Sequence, residues 1–215
     1  IILINPNNPI GESHPKNSLL DFVSELQMFK IIIDESFLDF FEPDQSMLQE
    51  INTFKNLIIV KSFGKTLGMP GLRLGAIYSN PSYISSLTKK VPVWNVNCIA
   101  AYILDMMSKK PFKKKVKYSM AQVREDVMVL YKNLSKVSQL KVFNPTSNYV
   151  IAKIINGMSS IELRDILLED RVFIRDCSNK VGFGENYIRI ASRTRKENID
   201  IGRHIEVVLA DYETG

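Results

Sequence analysis

Short apolar runs alternate with amphipathic stretches in the first third of the chain. The apolar runs lie at residues 1–4, 30–33, 57–60 and 72–78. The first run ends in the turn signal Asn5-Pro6-Asn7-Asn8-Pro9. Between the first two runs, apolar residues from Leu19 to Leu26 recur at helical spacing. Short apolar strands separated by helices are typical of βαβ units, so this part is predicted to be α/β with a mostly parallel sheet.

A long amphipathic helix is predicted in the middle of the chain, because apolar residues from Val116 to Val137 are spaced three and four apart. The last third mixes predicted strands and helices. The strands are 140–143, 149–155, 172–175 and 187–191, and the helices are 160–168 and 195–209. The pattern changes between Pro81 and Pro111. We therefore divide the chain into a partial large α/β domain, residues 1–95, and a connecting helix with a small α+β domain, residues 96–215.

Composition narrows the class of protein. The 215 residues are 45% hydrophobic and 24% charged, which is ordinary for a soluble globular protein. The net charge of +5 favours anionic ligands, but the basic residues are scattered, so no nucleic-acid partner is predicted. No apolar run reaches the roughly 20 residues of a membrane span, and no signal peptide is recognised. Two cysteines without a CxxC pair and only two histidines argue against a disulfide framework or a metal site and fit the cytoplasm.

Polar residues follow the predicted strands of the first third. Asn8 comes after the first strand, Asp34 after the second, Ser62 and Lys65 after the third, and Arg73 at the head of the fourth. Ligands of open α/β sheets bind beyond the carboxyl ends of the strands. Each residue alone also fits a simpler role: a turn for Asn8, a helix cap for Asp34, a surface lysine for Lys65.

Together these residues stand in segments that resemble class I/II aminotransferases of fold type I. The segments are NPNNPIG at 5–11, DESF at 34–37, SFGK at 62–65, GLRLG at 71–75 and YIRI at 187–190. Their order and spacing match the family, and the resemblance covers nearly the whole chain. It implies the C-terminal portion of a fold type I transferase that depends on pyridoxal 5'-phosphate.

The resemblance also implies a role for each strand-end residue. Lys65 would form the Schiff base with the cofactor and move the substrate's Cα proton. Asp34 would keep the pyridine nitrogen protonated, and Asn8 would donate to the phenolate oxygen. Ser62 and Arg73 would bind the phosphate, which needs a hydroxyl and a guanidinium fork.

Three arginines are the candidate substrate residues. Arg189 resembles the family's ligand for the substrate α-carboxylate. Arg175 and Arg193 could supply a second anion site for a phosphorylated substrate, or could instead form surface ion pairs.

The chain departs from the family pattern at two side chains and at its front. Phe37 stands where many aminotransferases carry a tyrosine that reaches the phenolate oxygen, and Ile10 replaces a common threonine. The family segment that precedes the Asn-Pro turn is absent from these residues. We therefore expect the 215-residue chain to bind the cofactor weakly and to expose apolar surface near 1–4 and 31–33.

The expected activity is transfer of an amino group between an amino acid or phosphorylated amine and a 2-oxo acid, by a homodimer. Residues 94–97 and 147–149 resemble histidinol-phosphate aminotransferases. Residues 34–37 and 173–179 lean toward threonine-phosphate decarboxylases, so decarboxylation of a phospho-amino acid is the alternative. A different class of hypothesis is a catalytically inactive dimerisation module.

Overall fold

The computed structural model describes residues 1–214. The first eight regular elements are β1 (Ile2–Ile4), α1 (Lys16–Glu25), β2 (Ile31–Asp34), β3 (Leu57–Ser62), α2 (Phe63–Thr66), β4 (Gly75–Ser79), α3 (Pro81–Thr88) and α4 (Cys98–Ser108). The remaining ones are α5 (Lys110–Leu134), β5 (Leu140–Val142), β6 (Tyr149–Ile154), α6 (Ser160–Glu169), β7 (Arg175–Asp176), β8 (Tyr187–Ala191) and α7 (Arg195–Thr214). Short 3-10 turns lie at Leu38–Phe40, Pro43–Gln45, Met47–Glu50 and Pro70–Leu72. No helix of residues 1–214 is long and apolar enough to cross a membrane.

The contacts divide the chain into two compact units. The first unit holds residues 1–7 and 12–121, and the second holds 8–11 and the chain from Gln122 onward. This division falls inside α5, later than residue 95, because Ala100 of α4 packs with Leu72 and Leu74 in the first unit. The domain boundary drawn from the sequence stays a prediction.

The sheet of the first unit has the order β1-β2-β3-β4. Strands β1, β2 and β3 are parallel, and β4 pairs antiparallel with β3, so the sheet is mixed. A parallel partner needs a crossover connection, usually a full helix. The chain between Ser62 and Gly75 holds only α2 and a 3-10 turn, so it returns antiparallel.

The core of the first unit lies around β2 and β3. Ile31, Ile33 and Ile59 are fully buried and pack with Val23 of α1. Strand β1 is different: it is an edge strand, and Ile2 is 71% exposed. Exposed apolar surface was expected near residues 1–4 and 31–33. Exposed apolar surface is found at that strand but not at Ile31 and Ile33.

The second unit contains an antiparallel sheet of order β5-β6-β8-β7. Alternate residues of its central strands β6 and β8 are buried at 0–1% exposure: Val150, Ala152, Ile154, Ile188 and Ile190. The intervening residues point to the opposite face, since side chains alternate along a strand.

Strand β7 is shorter than the predicted strand at 172–175. It begins only at Arg175, because the Val172 N–H bonds the Leu167 carbonyl at the end of α6 instead of a neighbouring strand. Arg171, with φ of 60°, turns the chain there.

Candidate active site

The strand ends of the first sheet meet at one edge. Strands β1 to β3 end there, and β4 begins there because it runs in the opposite direction. The Asn5 N–H donates to the Asp34 carbonyl at 2.9 Å, and Ser62 lies opposite Gly75. The structure thus brings Asp34, Ser62 and the approach to β4, where Arg73 lies, to the same edge, as the sequence predicted.

The Asp34 carboxylate is half-buried and held by a serine two positions later. Its Oδ1 accepts the backbone N–H of Ser36 at 2.9 Å and also the Ser36 hydroxyl. The Ser36 Oγ in turn accepts the Ser62 N–H at 3.1 Å. Sequence reasoning missed Ser36, although an Asp-x-Ser spacing is a usual sign of such a turn.

The Lys65 side chain is exposed, and its amine lies 5.6 Å from the centre of the buried Phe37 ring. Within the described part of the first unit, no carboxylate or carbonyl accepts a hydrogen bond from this amine. A lysine over an aromatic face keeps its donors free while the ring attracts its charge. The amine is therefore available to another group.

A cleft of about 350 Å³ lies at the end of β3 and the start of β4 and is lined by Ser62, Gly64, Arg73 and Gly75 among others. Arg73 has left-handed backbone angles, φ 52° and ψ 42°, which cost energy for a side chain other than glycine. A Cβ at Gly75 would lie 2.8 Å from the Lys61 carbonyl oxygen, so only glycine fits there. Ser62 supplies a hydroxyl and Arg73 a guanidinium, the two donors that bind a phosphate well.

Behind this edge lies a buried ion cluster that the sequence analysis did not identify. The Lys61 amine lies 2.7 Å from Asp39 Oδ1 and 3.5 Å from Glu35 Oε2. Glu35 also accepts the Ser46 hydroxyl at 2.5 Å and the Met47 N–H at 2.7 Å. Burial favours a lower pKa for Lys61, but the two carboxylates outweigh it and raise the Lys61 pKa above its usual value. The cluster anchors residues 39–47 beside the end of β3.

Arg189 lies in β8 of the second unit, half-buried. Its guanidinium donates to Asn8 Oδ1 at 2.6 Å and lies 5.1 Å from the centre of the Tyr149 ring. Its Nε is buried and has no hydrogen-bond partner among the described residues. Since Asn8 accepts this bond through its oxygen, its NH₂ group stays free to donate elsewhere.

Burial raises the pKa of the Tyr149 hydroxyl to about 12, against the opposing effect of the Arg189 charge. Burial likewise raises the pKa of the Cys177 thiol, and the same guanidinium opposes it. Both groups thus stay neutral around Arg189 at physiological pH. Tyr149 had been singled out only as part of a subfamily segment, not as a neighbour of Arg189.

The other two candidate arginines are placed differently. Arg175 lies directly opposite Arg189 in the β7–β8 pair, and residues opposite each other in a sheet project from the same face. Arg193 instead forms an i,i+4 ion pair with Glu197 at 3.1 Å, at the start of α7. It lines a separate cavity of about 470 Å³ that includes Phe173.

The chain matches the family model described as Aminotransferase class I and II over residues 1–204. It is 31% identical to the L-serine phosphate decarboxylase of Campylobacter jejuni over 92% of this chain and 53% of that protein. A solved decarboxylase structure from Sulfurospirillum multivorans superposes with a TM-score of 0.89 at 29% identity, covering 97% of this chain and 61% of that one. The histidinol-phosphate aminotransferase of Clostridium acetobutylicum gives a TM-score of 0.88 at 28% identity, over 98% and 64% of the two chains.

This protein belongs to the class I and II aminotransferase family, whose members are pyridoxal-phosphate enzymes that carry out transamination or decarboxylation. The predicted fold class is confirmed for the part of the fold that the chain covers. The chain spans about half the length of the curated relatives it matches.

The residues present fit the cofactor that the family uses. Ser62 and Arg73 offer donors to a phosphate in a cleft where Gly64 and Gly75 leave space, and Lys65 has an amine without a hydrogen-bond partner among the described residues of its unit. Asp34 offers a carboxylate of which Oδ1 is held by Ser36, and its other oxygen has no partner in the described part of the unit. These are the groups that a phosphate, an aldehyde carbon and a pyridinium nitrogen require.

Proposed function

We propose that this chain is the part of a pyridoxal-phosphate enzyme that binds the cofactor and a phosphorylated amino acid. The observation that carries the proposal is the common sheet edge of Asp34, Ser62 and the start of β4, together with the exposed amine of Lys65 over the Phe37 ring.

Each residue then has one task toward the cofactor, which when bound supplies an electron sink conjugated to the substrate's Cα. Lys65 holds the cofactor covalently and, once released from it, moves a proton at Cα. Asp34 holds a proton on the pyridine nitrogen. Ser62 and Arg73 bind the phosphate. Asn8, whose NH₂ is left free by its bond to Arg189, donates to the phenolate oxygen.

The arginine pair of the second sheet supports a substrate with two anionic groups. Arg189 has a buried Nε without a partner among the described residues, which a bidentate carboxylate would satisfy. Arg175, directly opposite, adds a second positive charge to the same face. Two positive charges directly opposite each other in a sheet repel and destabilise it. A bound phosphate would attract both arginines and so replace this repulsion by a favourable interaction. Arg193 is the weaker candidate because Glu197 already pairs with it.

For the reaction, we place decarboxylation of an O-phospho-amino acid first. Phe37 and Ser36 occupy a segment that resembles decarboxylases, and the L-serine phosphate decarboxylase of C. jejuni is 31% identical to the chain. Transamination is the second candidate, favoured by residues 94–97 and 147–149 and by the C. acetobutylicum structure. A cytoplasmic homodimer is expected in either case, and both features stay predictions.

The test uses the full-length protein, as its gene encodes it, with pyridoxal phosphate and O-phospho-L-serine labelled in its carboxyl carbon. Decarboxylation releases labelled CO₂ and leaves O-phosphoethanolamine. Transamination with a 2-oxo acid acceptor retains the label and produces a new 2-oxo acid. The inactive dimerisation module would be favoured instead by the following results together: no CO₂ from O-phosphoserine or O-phosphothreonine, no amino transfer from these or from histidinol phosphate to a 2-oxo acid, and no binding of the cofactor.

A further inference from the structure

Ser36 is a buried residue that joins the ends of two strands. It lies within the DESF segment, but no role toward the cofactor or the substrate has been assigned to its side chain. It follows β2 by two residues and is 8% exposed. Its hydroxyl donates to Asp34 Oδ1 and accepts the N–H of Ser62, the last residue of β3, at 3.1 Å. One oxygen atom therefore contacts both Asp34 and Ser62.

For Asp34, these contacts fix the direction of the carboxylate. Oδ1 accepts two bonds from the same residue, from the Ser36 backbone N–H at 2.9 Å and from its hydroxyl. Two donors on one oxygen determine the side-chain torsions of a short carboxylate. Oδ2 has no partner in the described part of the first unit, so it is the oxygen left to meet a cation.

The Ser62 N–H donates to the Ser36 hydroxyl, where a strand residue would normally donate to a backbone carbonyl of the neighbouring strand. The β2–β3 ladder continues past Asp34 through the bond from the Glu35 N–H to the Val60 carbonyl at 2.8 Å. The next N–H on β3 is that of Ser62, and it finds the hydroxyl. An unpaired N–H at this half-buried position would be unfavourable, so the bond extends the β2–β3 alignment past the Asp34–Val60 pair, to Ser36 and Ser62.

We propose that Ser36 is a positioning residue for the cofactor: its hydroxyl directs Asp34 Oδ2 toward the pyridine nitrogen and ties that carboxylate to the phosphate-binding Ser62. The proposal rests on the proposed function, because it needs Asp34 to face the ring nitrogen. An alanine at position 36 keeps the backbone bond to Asp34 but removes both hydroxyl contacts.

The measurement is the dissociation constant of pyridoxal phosphate, obtained by absorbance titration of the full-length protein. Loss of a hydrogen bond to a charged group predicts that Ser36→Ala binds the cofactor about tenfold to a hundredfold more weakly. The chain offers a matched control. Ser178 also follows an aspartate by two residues and donates to it, its N–H to Asp176 Oδ1 at 2.8 Å and its hydroxyl to Oδ2 at 2.9 Å. Ser178→Ala should leave the dissociation constant unchanged.

A double-mutant cycle with Asp34→Asn separates positioning from plain structural support. If Ser36 acts through the Asp34 carboxylate, Ser36→Ala weakens binding in the wild type and has little further effect beside Asp34→Asn. An equal effect in both backgrounds, or no effect in the wild type, would overturn the inference. Failure of the wild type itself to bind the cofactor would instead refute the proposed function.

Conservative variants keep the test decisive if Ser36→Ala does not fold. Ser36→Thr retains the hydroxyl and should bind within a few-fold of the wild type, whereas the weaker donor in Ser36→Cys should bind less well. The reverse order would overturn the inference. Urea unfolding of each variant identifies any that is not folded.

Discussion

Two Asp-x-Ser turns, one in each unit, share a backbone hydrogen bond but differ in the carboxylate oxygen that receives the serine hydroxyl. In both, the serine N–H two residues later donates to the aspartate Oδ1, at 2.9 Å for Asp34 and 2.8 Å for Asp176. Asp176 has both oxygens occupied, because Ser160 donates to Oδ1 at 2.6 Å and Ser178 to Oδ2 at 2.9 Å. Asp34 has donors on Oδ1 alone among the residues that the structure describes in its unit.

This difference separates a carboxylate that completes a fold from one that can bind a ligand. The hydroxyls of Ser160 and Ser178 lower the pKa of Asp176 against the opposing effect of burial, so its charge is satisfied inside its own unit. Asp34 Oδ2 has no partner among the described residues of the first unit, and the Ser36 hydroxyl joins the other oxygen of Asp34 to the Ser62 N–H. A half-buried carboxylate that lacks hydrogen-bond donors on one oxygen is unfavourable, unless a cation pairs with that oxygen.

The largest expected effect on activity comes from removing the carboxylate charge of Asp34, compared with removing that of Asp176. Asp34→Asn should lower turnover by orders of magnitude, because an amide cannot keep the ring nitrogen protonated. Asp176→Asn should retain most of the activity. Steady-state kinetics of the two purified variants, with cofactor in excess, provides the comparison. Comparable losses of turnover in both variants would contradict the claim that Asp34 binds the cofactor whereas Asp176 only stabilises the fold.

The arginines of the second sheet allow a similar comparison. Arg189→Ala should weaken substrate binding by about 2–5 kcal/mol, since it removes one member of a charge pair that is partly shielded from water. Arg193→Ala should change it little, because that side chain is 64% exposed and bonded to Glu197. Arg175→Ala should affect phosphorylated substrates more than unphosphorylated ones. Isothermal titration with O-phosphoserine and serine measures all three, and equal affinity of wild type and Arg189→Ala would exclude its role.

The smallest effect concerns stability in acid. The folded-state pKa of Asp176 is depressed, so this carboxylate stabilises the fold above its unfolded pKa of about 3.9, and that contribution is lost as pH falls through the folded value. Urea unfolding should show wild type more stable than Asp176→Asn at pH 7, with the gap narrowing toward pH 3. A gap independent of pH would mean that the serine hydroxyls do not favour the charged form.

The sequence predicted the features that depend on the alternation of apolar and polar residues and on where each apolar strand ends. The bounds of β8, residues 187–191, and the positions of Asp34 and Ser62 at a sheet edge follow from apolar runs that stop at a polar residue. Two features depend instead on which strands become neighbours: the antiparallel course of β4 and the placement of Arg175 opposite Arg189. Pairing is a tertiary property, so a single sequence pattern does not encode it visibly.

At the candidate site, the Ser36 hydroxyl likewise makes one contact that the sequence predicts and one that depends on the fold. The spacing from Asp34 predicts a local turn, but the second bond, to Ser62, joins residues 26 positions apart. The ion cluster of Lys61 with Glu35 and Asp39 is likewise made by residues from two strand ends. The motif segments identified Lys65 and Arg73, whereas the side chains that hold those segments together became visible only in the fold.

The most direct test of the whole account is the identity of the lysine that carries the cofactor. The full-length protein is incubated with pyridoxal phosphate, reduced with borohydride, digested and mapped by mass spectrometry. The account predicts one modified residue, Lys65, and loss of the modification together with the visible cofactor absorbance in Lys65→Ala. Modification of another lysine, such as the buried Lys61, or an unchanged spectrum in Lys65→Ala, would contradict it.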